Sequence, residues 1–239
     1  MAMELQREQM ITLDKLELSI RHGFVRKVMG LLVLEICIVM AVVCLFVYTP
    51  GIVLYINANR WTLYASILAL FVALCCSSTC CTDVARVFPQ SLFLCAGVAL
   101  IAGVFLGVFS IYLGLDQNNS TQIWIAFGTT TGVMSILGIF AMQTRYDFSG
   151  IGPYLSISCL VILMFALLGA FMSYVGGLLW IGLIVTLLAM YVVYDMQLVL
   201  GGKHRRYQFT VDDAPLASLA LFTDFVMIFA VLLALGEGR

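Results

Sequence analysis

The sequence predicts an all-α membrane protein, with about seven transmembrane helices packed in one bundle. Of its 239 residues, 63% are hydrophobic and only 10% are charged, whereas about 25% of the residues of a typical soluble domain are charged. The mean hydropathy is +1.08. A water-soluble protein of this length could not cover so much apolar surface, but a bilayer can.

Seven apolar runs can each cross a hydrocarbon core, which takes roughly 20 residues. Turn residues separate them, among them Thr-Pro-Gly at 49–51, Asp-Gln-Asn-Asn at 116–119 and Gly-Gly at 201–202,. The last run opens with Thr210, Asp213 and Pro215, a helix-capping arrangement with proline in the first turn. The predicted spans are 28–48, 62–82, 91–113, 122–142, 152–172, 177–199 and 215–235.

The distribution of Lys and Arg predicts the orientation. Residues 1–25 form a polar tail without the basic start and apolar core of a signal peptide, and residues 26–239 form the transmembrane domain. Ten of the twelve basic residues lie in this tail, at the start of the first span or in loops on the same side, which predicts that this side is cytosolic,. The glycosylation sequons at Asn118 and Asn119 fall on the opposite side.

Three acidic residues, Glu35, Asp195 and Asp224, fall inside predicted spans. A charge at the bilayer centre costs about 3 kcal/mol or more, so such residues usually face the bundle interior and serve a function. Asp195 lies near the cytosolic end of span six and Asp224 about ten residues into span seven. At about 1.5 Å per residue, they lie ~7 and ~14 Å below the cytosolic surface. Because these spans form an antiparallel hairpin, the two carboxyl groups could meet.

Two neighbouring carboxyl groups in an apolar setting cannot both ionise cheaply, so they would share a proton and act as a pH switch. Deprotonated, the pair offers hard oxygen ligands suited to Ca²⁺. Alternatively, each acid bonds a neighbouring Tyr, Thr or Arg and only fixes the packing. Glu35 is either a third acid of a pore or a neutral, hydrogen-bonded group. Arg86 closes span two and either latches to a carboxylate or anchors the cytosolic boundary.

Small residues in the spans favour packing roles. Two GxxxG pairs, Gly103/Gly107 and Gly128/Gly132, predict close helix contacts. A cysteine cluster could bind a soft metal or carry palmitate, but small buried cysteines in a packed helix fit the pattern better. The cluster consists of Cys75, Cys76, Cys80 and Cys81.

Several classes of protein are disfavoured. Both histidines, His22 and His204, lie outside the spans, so a histidine-based zinc hydrolase and a Ser-His hydrolase are unsupported,. The net charge is −1 and there is no basic run, so we predict no nucleic-acid partner. We therefore expect neither an enzyme nor a bound cofactor, with the lipid bilayer as the first partner.

Motifs near the C-terminus carry a family resemblance. The segments YDMQLVLGGKH at 194–204 and SLALFTDF at 218–225 resemble the last two helices of the transmembrane BAX inhibitor motif family, in which a YDTQ…GGK segment precedes a helix with an LD pair. The segment CCTDVAR at 80–86 resembles the CCGDFRR of its Lifeguard branch. Further similar segments are RKVMGLL at 26–32, FGTT at 127–130 and MQTRYDF at 142–148.

The chain departs from the family pattern at four places. Thr223 precedes Asp224 where an apolar residue is usual, and Met196 replaces the threonine of YDTQ. Glu35 stands where the Lifeguard branch tends to have Gln, and the branch's pair of arginines is reduced to Arg86.

The resemblance implies a seven-helix fold with the last helix central, and a membrane Ca²⁺ leak with anti-apoptotic action. It implies that Asp195 and Asp224 are a pH-sensing pair latched by Arg86. We therefore expect a pH-sensitive Ca²⁺ leak of the endoplasmic reticulum or Golgi, with Ca²⁺ as permeant ion, H⁺ as regulator and cell-death regulatory membrane proteins as partners. The alternatives are a proton-coupled transporter and a non-conducting scaffold that binds cell-death regulators.

Overall fold

The structure is a computed structural model that describes residues 2–77, 89–115, 119–143, 154–155, 158, 177–200 and 213–236. Within these ranges the chain is helical and has no strand. We number the helices α1 (Ala2–Tyr48), α2 (Pro50–Ala58), α3 (Trp61–Cys75), α4 (Gln90–Tyr112), α5 (Thr121–Gln143), α6 (Gly177–Leu200) and α7 (Ala214–Gly236).

The first helix is much longer than the first predicted span. It covers 47 residues, of which His22–Tyr48 are apolar enough to cross a membrane. The polar tail is therefore helical and continuous with the first span. The helix ends before Pro50, whose preceding residue Thr49 is extended, with φ −102° and ψ 104°. This is expected because a proline ring disfavours the helical conformation in the residue before it.

A short helix that the sequence analysis did not predict, α2, lies between the first and second spans. It is bent by 99° from α3. At the corner, the Asn59 side-chain amide donates to the Tyr55 carbonyl (2.9 Å) and the Thr62 hydroxyl donates to the Asn59 carbonyl (2.8 Å). The same two carbonyl groups also accept the backbone N–H groups of Asn59 (3.0 Å) and Thr62 (3.1 Å). Side-chain and backbone bonds therefore fix this corner together.

Helices α1 and α4 run parallel and pack closely through the first GxxxG pair. A Cβ added at Gly103 would lie 2.8 Å from Val42 Cβ, and one added at Gly107 would lie 2.8 Å from Phe46 Cγ. Only glycine allows this approach, so the packing role predicted for this pair is confirmed. For Gly128 and Gly132, an added Cβ meets no atom of the described residues within 4 Å.

The last helix is central, as the resemblance implied. Helix α7 contacts α1, α4, α5 and α6, and Phe222, Phe225 and Phe229 on it are almost fully buried. The Phe225 ring packs edge-on against Phe127 of α5 and stacks on Phe229, each at 6.0 Å between ring centroids. Because α7 touches four other helices, polar groups on different faces of it can reach different partners.

The all-α membrane fold is confirmed. Among the described residues, four helices are long and apolar enough to span a bilayer, or up to five if α2 and α3 together form one span. The apolar part of α6, Leu183–Val199, is shorter. The predicted span 152–172 falls almost entirely outside the described residues.

Candidate functional site

The carboxyl groups of Asp195 and Asp224 lie side by side. Asp195 is in the last two turns of α6 and Asp224 is in the middle of α7. They are close enough for one carboxyl group to donate a hydrogen bond to the other. A carboxylate cannot donate, so a hydrogen bond between them requires that at least one of the two carries a proton.

The pair lies in the interior of the bundle. Asp195 is partly buried and Asp224 is only 6% exposed. Asp224 Oδ2 makes no hydrogen bond to any described residue. Leaving a charged oxygen buried without a donor is costly, so this arrangement favours a proton or a cation on the pair.

An apolar cavity of about 400 Å³ lies between α1 and α5. Its walls come mainly from α1 and α5, and α6 and α7 contribute Met196 and Phe225, the residues that directly follow Asp195 and Asp224. The methyl group of Met196 packs against α5, 3.4 Å from a Cβ added at Gly138. Neither carboxyl group lines this cavity, although the residue after each of them does.

A second buried carboxyl group, Glu35, lies where α1, α4 and α7 meet. Glu35 is fully buried, and the Ser218 hydroxyl donates a 2.8 Å hydrogen bond to its Oε1. The Cys95 thiol lies beside the same carboxyl group and is 3.9 Å from the Pro215 carbonyl oxygen, to which it donates a weak bond. Glu35 Oε2 has no hydrogen-bond partner among the described residues.

Sequence reasoning missed Ser218 and Cys95. The sequence feature that could have pointed to Ser218 is its polar hydroxyl group in an otherwise apolar helix, one turn after Pro215. Nothing distinguished Cys95 from the other cysteines in the spans. Ser218 and Asp224 are six residues apart, which separates them by about 9 Å along α7 and about 120° around it. The central helix therefore carries two distinct polar sites.

Other candidate residues are placed only in part. Arg86, Asn118, Cys80 and Cys81 lie outside the described residues. Asn119 is exposed just before α5.

The prediction that the cysteine cluster is buried is wrong for Cys75 and Cys76, which are both exposed. They continue the outward face of α3, whose residues one turn earlier, Phe71 and Val72, are 64% and 49% exposed. A cysteine's small apolar side chain is tolerated on a face turned toward lipid as well as in a core, so its residue type alone could not decide between them.

Comparison with known proteins shows the family to which the chain belongs. Residues 21–238 match the family model described as "Inhibitor of apoptosis-promoting Bax1". The chain belongs to this family. The match covers both carboxyl sites, and it confirms the resemblance that the C-terminal motifs carried.

Three relatives illustrate how widely the family's sequence varies. The chain is 25% identical to human protein lifeguard 3 over 226 residues, which is 92% of this chain and 70% of that protein. It is 25% identical to mouse protein lifeguard 3, over 92% of this chain and 71% of that one. An uncharacterized protein of Helicobacter pylori is 28% identical over 140 residues, 58% of this chain and 54% of the bacterial one. Together with the apolar helices, family membership makes this an integral, multi-pass membrane protein.

Proposed function

We propose that this member of the Bax1 inhibitor family is a pH-sensitive Ca²⁺ leak channel that restrains apoptosis from an intracellular membrane, the endoplasmic reticulum or Golgi. One observation carries the proposal: a carboxyl group from α6 and one from the central helix α7 meet inside the bundle. The family's description, inhibition of an apoptosis-promoting protein, supports the cellular role.

In the closed state, the two carboxyl groups share a proton. The protonated carboxyl group donates to the ionised one, which ties α6 to α7 and reduces the buried charge. The burial of Asp224 and of the apolar residues that follow the two acids, Met196 and Phe225, keeps water away. Arg86, by resemblance to the family, is proposed to latch the same pair from the cytosolic end of the second span.

In the open state, the shared proton has left. Two carboxylates about 4 Å apart repel one another by about 4 kcal/mol at the effective dielectric constant of ~20 that suits protein sites. This is as large as the few kcal/mol that commonly separate two conformations of one protein. Loss of the proton can therefore drive α6 and α7 apart, and Ca²⁺, which prefers carboxylate oxygens, offsets the repulsion as it passes.

The test is Ca²⁺ efflux from liposomes that contain the purified full-length chain, measured over a range of pH. We expect the efflux rate of the wild type to rise with pH. Asp195→Asn and Asp224→Asn should each reduce the ratio of the efflux rate at high pH to that at low pH at least ten-fold. The matched control is Thr223→Val, because the Thr223 hydroxyl only donates to the Leu219 carbonyl of its own helix (2.8 Å).

Two results would contradict the proposal. One is a pH profile that both Asp→Asn variants leave unchanged. The other is counterflow of a labelled solute, because a simple leak does not exchange one solute for another; counterflow would indicate a proton-coupled transporter instead. For the cellular role, protection from cell death that persists when both aspartates are neutralised would favour the scaffold alternative.

A further inference from the structure

Glu35 is a fully buried acid that the proposed leak mechanism does not use. Its carboxyl group lies between three helices: its own helix α1, α4 through Cys95, and α7 through Ser218. The Ser218–Glu35 bond joins residues 183 positions apart in the chain. This carboxyl group therefore lies at the junction that holds the first helix against the central one.

The described residues around Glu35 supply too few hydrogen-bond donors, and no cation, to stabilise an ionised carboxylate. An ionised carboxylate accepts several hydrogen bonds or pairs with a cation when it is buried. Here Oε1 has one hydroxyl donor at 2.8 Å, and Oε2 has no partner among the described residues. The contacting groups are a hydroxyl from α7 and a thiol from α4, and neither is cationic.

Charged groups on the same three helices lie farther along them. On α1, Lys27 is eight residues from Glu35, or about 12 Å along the axis. Asp213, directly before α7, and Asp224, on α7, are five and six residues from Ser218, or about 7.5 and 9 Å along the axis,. The titratable group that faces Glu35 from α4 is Cys95 itself.

We propose that Glu35, with Ser218 and Cys95, forms a second proton-binding site, in which Glu35 holds a proton as long as α1 stays packed against α4 and α7. The neutral acid accepts the Ser218 hydroxyl bond and leaves no buried charge. Loss of the proton would leave a carboxylate with a single strong donor, so α1 must separate from the other two helices until water reaches Oε2. This site goes beyond the proposed leak because it acts on a different helix junction from the aspartate pair.

The first test is infrared spectroscopy of the full-length chain in lipid nanodiscs, which detects the carbonyl stretch of a protonated carboxyl group. Near neutral pH, the wild type is expected to show this band. The band should be absent from the Glu35→Gln variant and present in the Asp195→Asn/Asp224→Asn variant. Labelling glutamate with a heavy isotope shifts this band in the wild type, so the test does not depend on a variant folding. Glu35 is the one glutamate inside the predicted spans. The absence of any shifted band overturns the proposal.

The second test measures whether the junction opens. In a chain that keeps Cys95 as its only cysteine, a membrane-permeant thiol reagent is added at increasing pH. The ratio of the labelling rate with Glu35 to that with Glu35→Gln removes the pH dependence that both chains share, and it is expected to rise at least ten-fold with pH. A carboxylate beside the thiol can by itself only slow the labelling, because it disfavours the reactive thiolate, so such a rise reports opening of the junction. A ratio that stays constant overturns the proposal. Neither measurement depends on Ca²⁺ flux. The proposed leak can therefore be contradicted while the proposed Glu35 site is supported, and the Glu35 site can be contradicted while the leak is supported.

Discussion

The carboxyl groups of Asp195 on α6 and Asp224 on α7 lie within hydrogen-bonding distance of one another, and Asp224 Oδ2 has no further partner among the described residues. A direct hydrogen bond between two carboxyl groups exists only while one of them carries a proton. The packing of the last two helices is therefore linked to pH.

The stability of the bundle is predicted to fall as pH rises. In the proposed sites the packed chain holds protons on the aspartate pair and on Glu35, whereas the unfolded chain releases them at neutral pH. The state with more bound protons is destabilised when protons are removed. Thermal unfolding in detergent over a range of pH measures this. The melting temperature of the Asp195→Asn/Asp224→Asn variant should depend less on pH than that of the wild type. The same is expected of the Glu35→Gln variant, because each variant removes a different proton-binding site. A pH dependence equal to that of the wild type in both variants would contradict the prediction.

Ser218→Ala is predicted to destabilise the chain by about 1–3 kcal/mol, because it removes the hydroxyl that donates to buried Glu35,. Ser135→Ala is the matched control, since the Ser135 hydroxyl is exposed and donates only to the Thr131 carbonyl of its own helix (2.7 Å),. Glu35→Gln keeps an acceptor for Ser218 and should cost less than Ser218→Ala. Equal losses for the two serine variants in an unfolding experiment would show that the Glu35 bond does not stabilise the bundle.

Gly103→Ala and Gly107→Ala are predicted to cost about 1–3 kcal/mol each, because the new methyl group would lie 2.8 Å from a side-chain carbon of α1,. Gly132→Ala has the same chemistry in α5 but meets no described atom within 4 Å. It should be neutral or slightly stabilising, since alanine favours the helix. The melting temperatures of the three purified variants decide this, and an equal effect in α4 and α5 would contradict the close α1–α4 contact.

Phe225→Ala is predicted to destabilise the chain by about 3–5 kcal/mol, because it removes a buried ring that contacts Phe127 and Phe229 and lines the apolar cavity,. It also removes the apolar wall that the residue after Asp224 contributes to the cavity, so the proposed leak is expected to show a larger basal Ca²⁺ flux even at acidic pH. Met227→Ala is the control on the same helix, because Met227 is 44% exposed. Liposome efflux at acidic pH compares the two variants; an unchanged basal leak in Phe225→Ala would show that this wall does not exclude ions.

The sequence predicted those parts of the fold that depend on hydropathy and on helix periodicity. The composition indicated lipid-spanning helices, and the positions of Asp195 and Asp224 on a hairpin showed that the two acids could meet. The close helix packing at Gly103 and Gly107 was also predictable, because two glycines four residues apart on a helix allow another helix to approach its backbone closely.

Other features depend on tertiary contacts that no local pattern encodes. The Ser218–Glu35 bond joins the first and last helices, and an isolated serine in an apolar run gives no sign of its partner. The corner between α2 and α3 depends on hydrogen bonds around Asn59 that form only once the chain bends. The exposure of Cys75 depends on which face of α3 its neighbours cover.

In the proposed mechanism, the proton on the aspartate pair and Ca²⁺ compete for the same two carboxyl groups. Metal binding to protonated ligands releases protons, so Ca²⁺ added to the purified protein in weakly buffered solution should acidify it, by about one proton per chain at saturation. We predict proton release by the wild type and none by Asp195→Asn/Asp224→Asn. Equal proton release by both proteins, or Ca²⁺ binding to the wild type with no proton release at any pH, would contradict it.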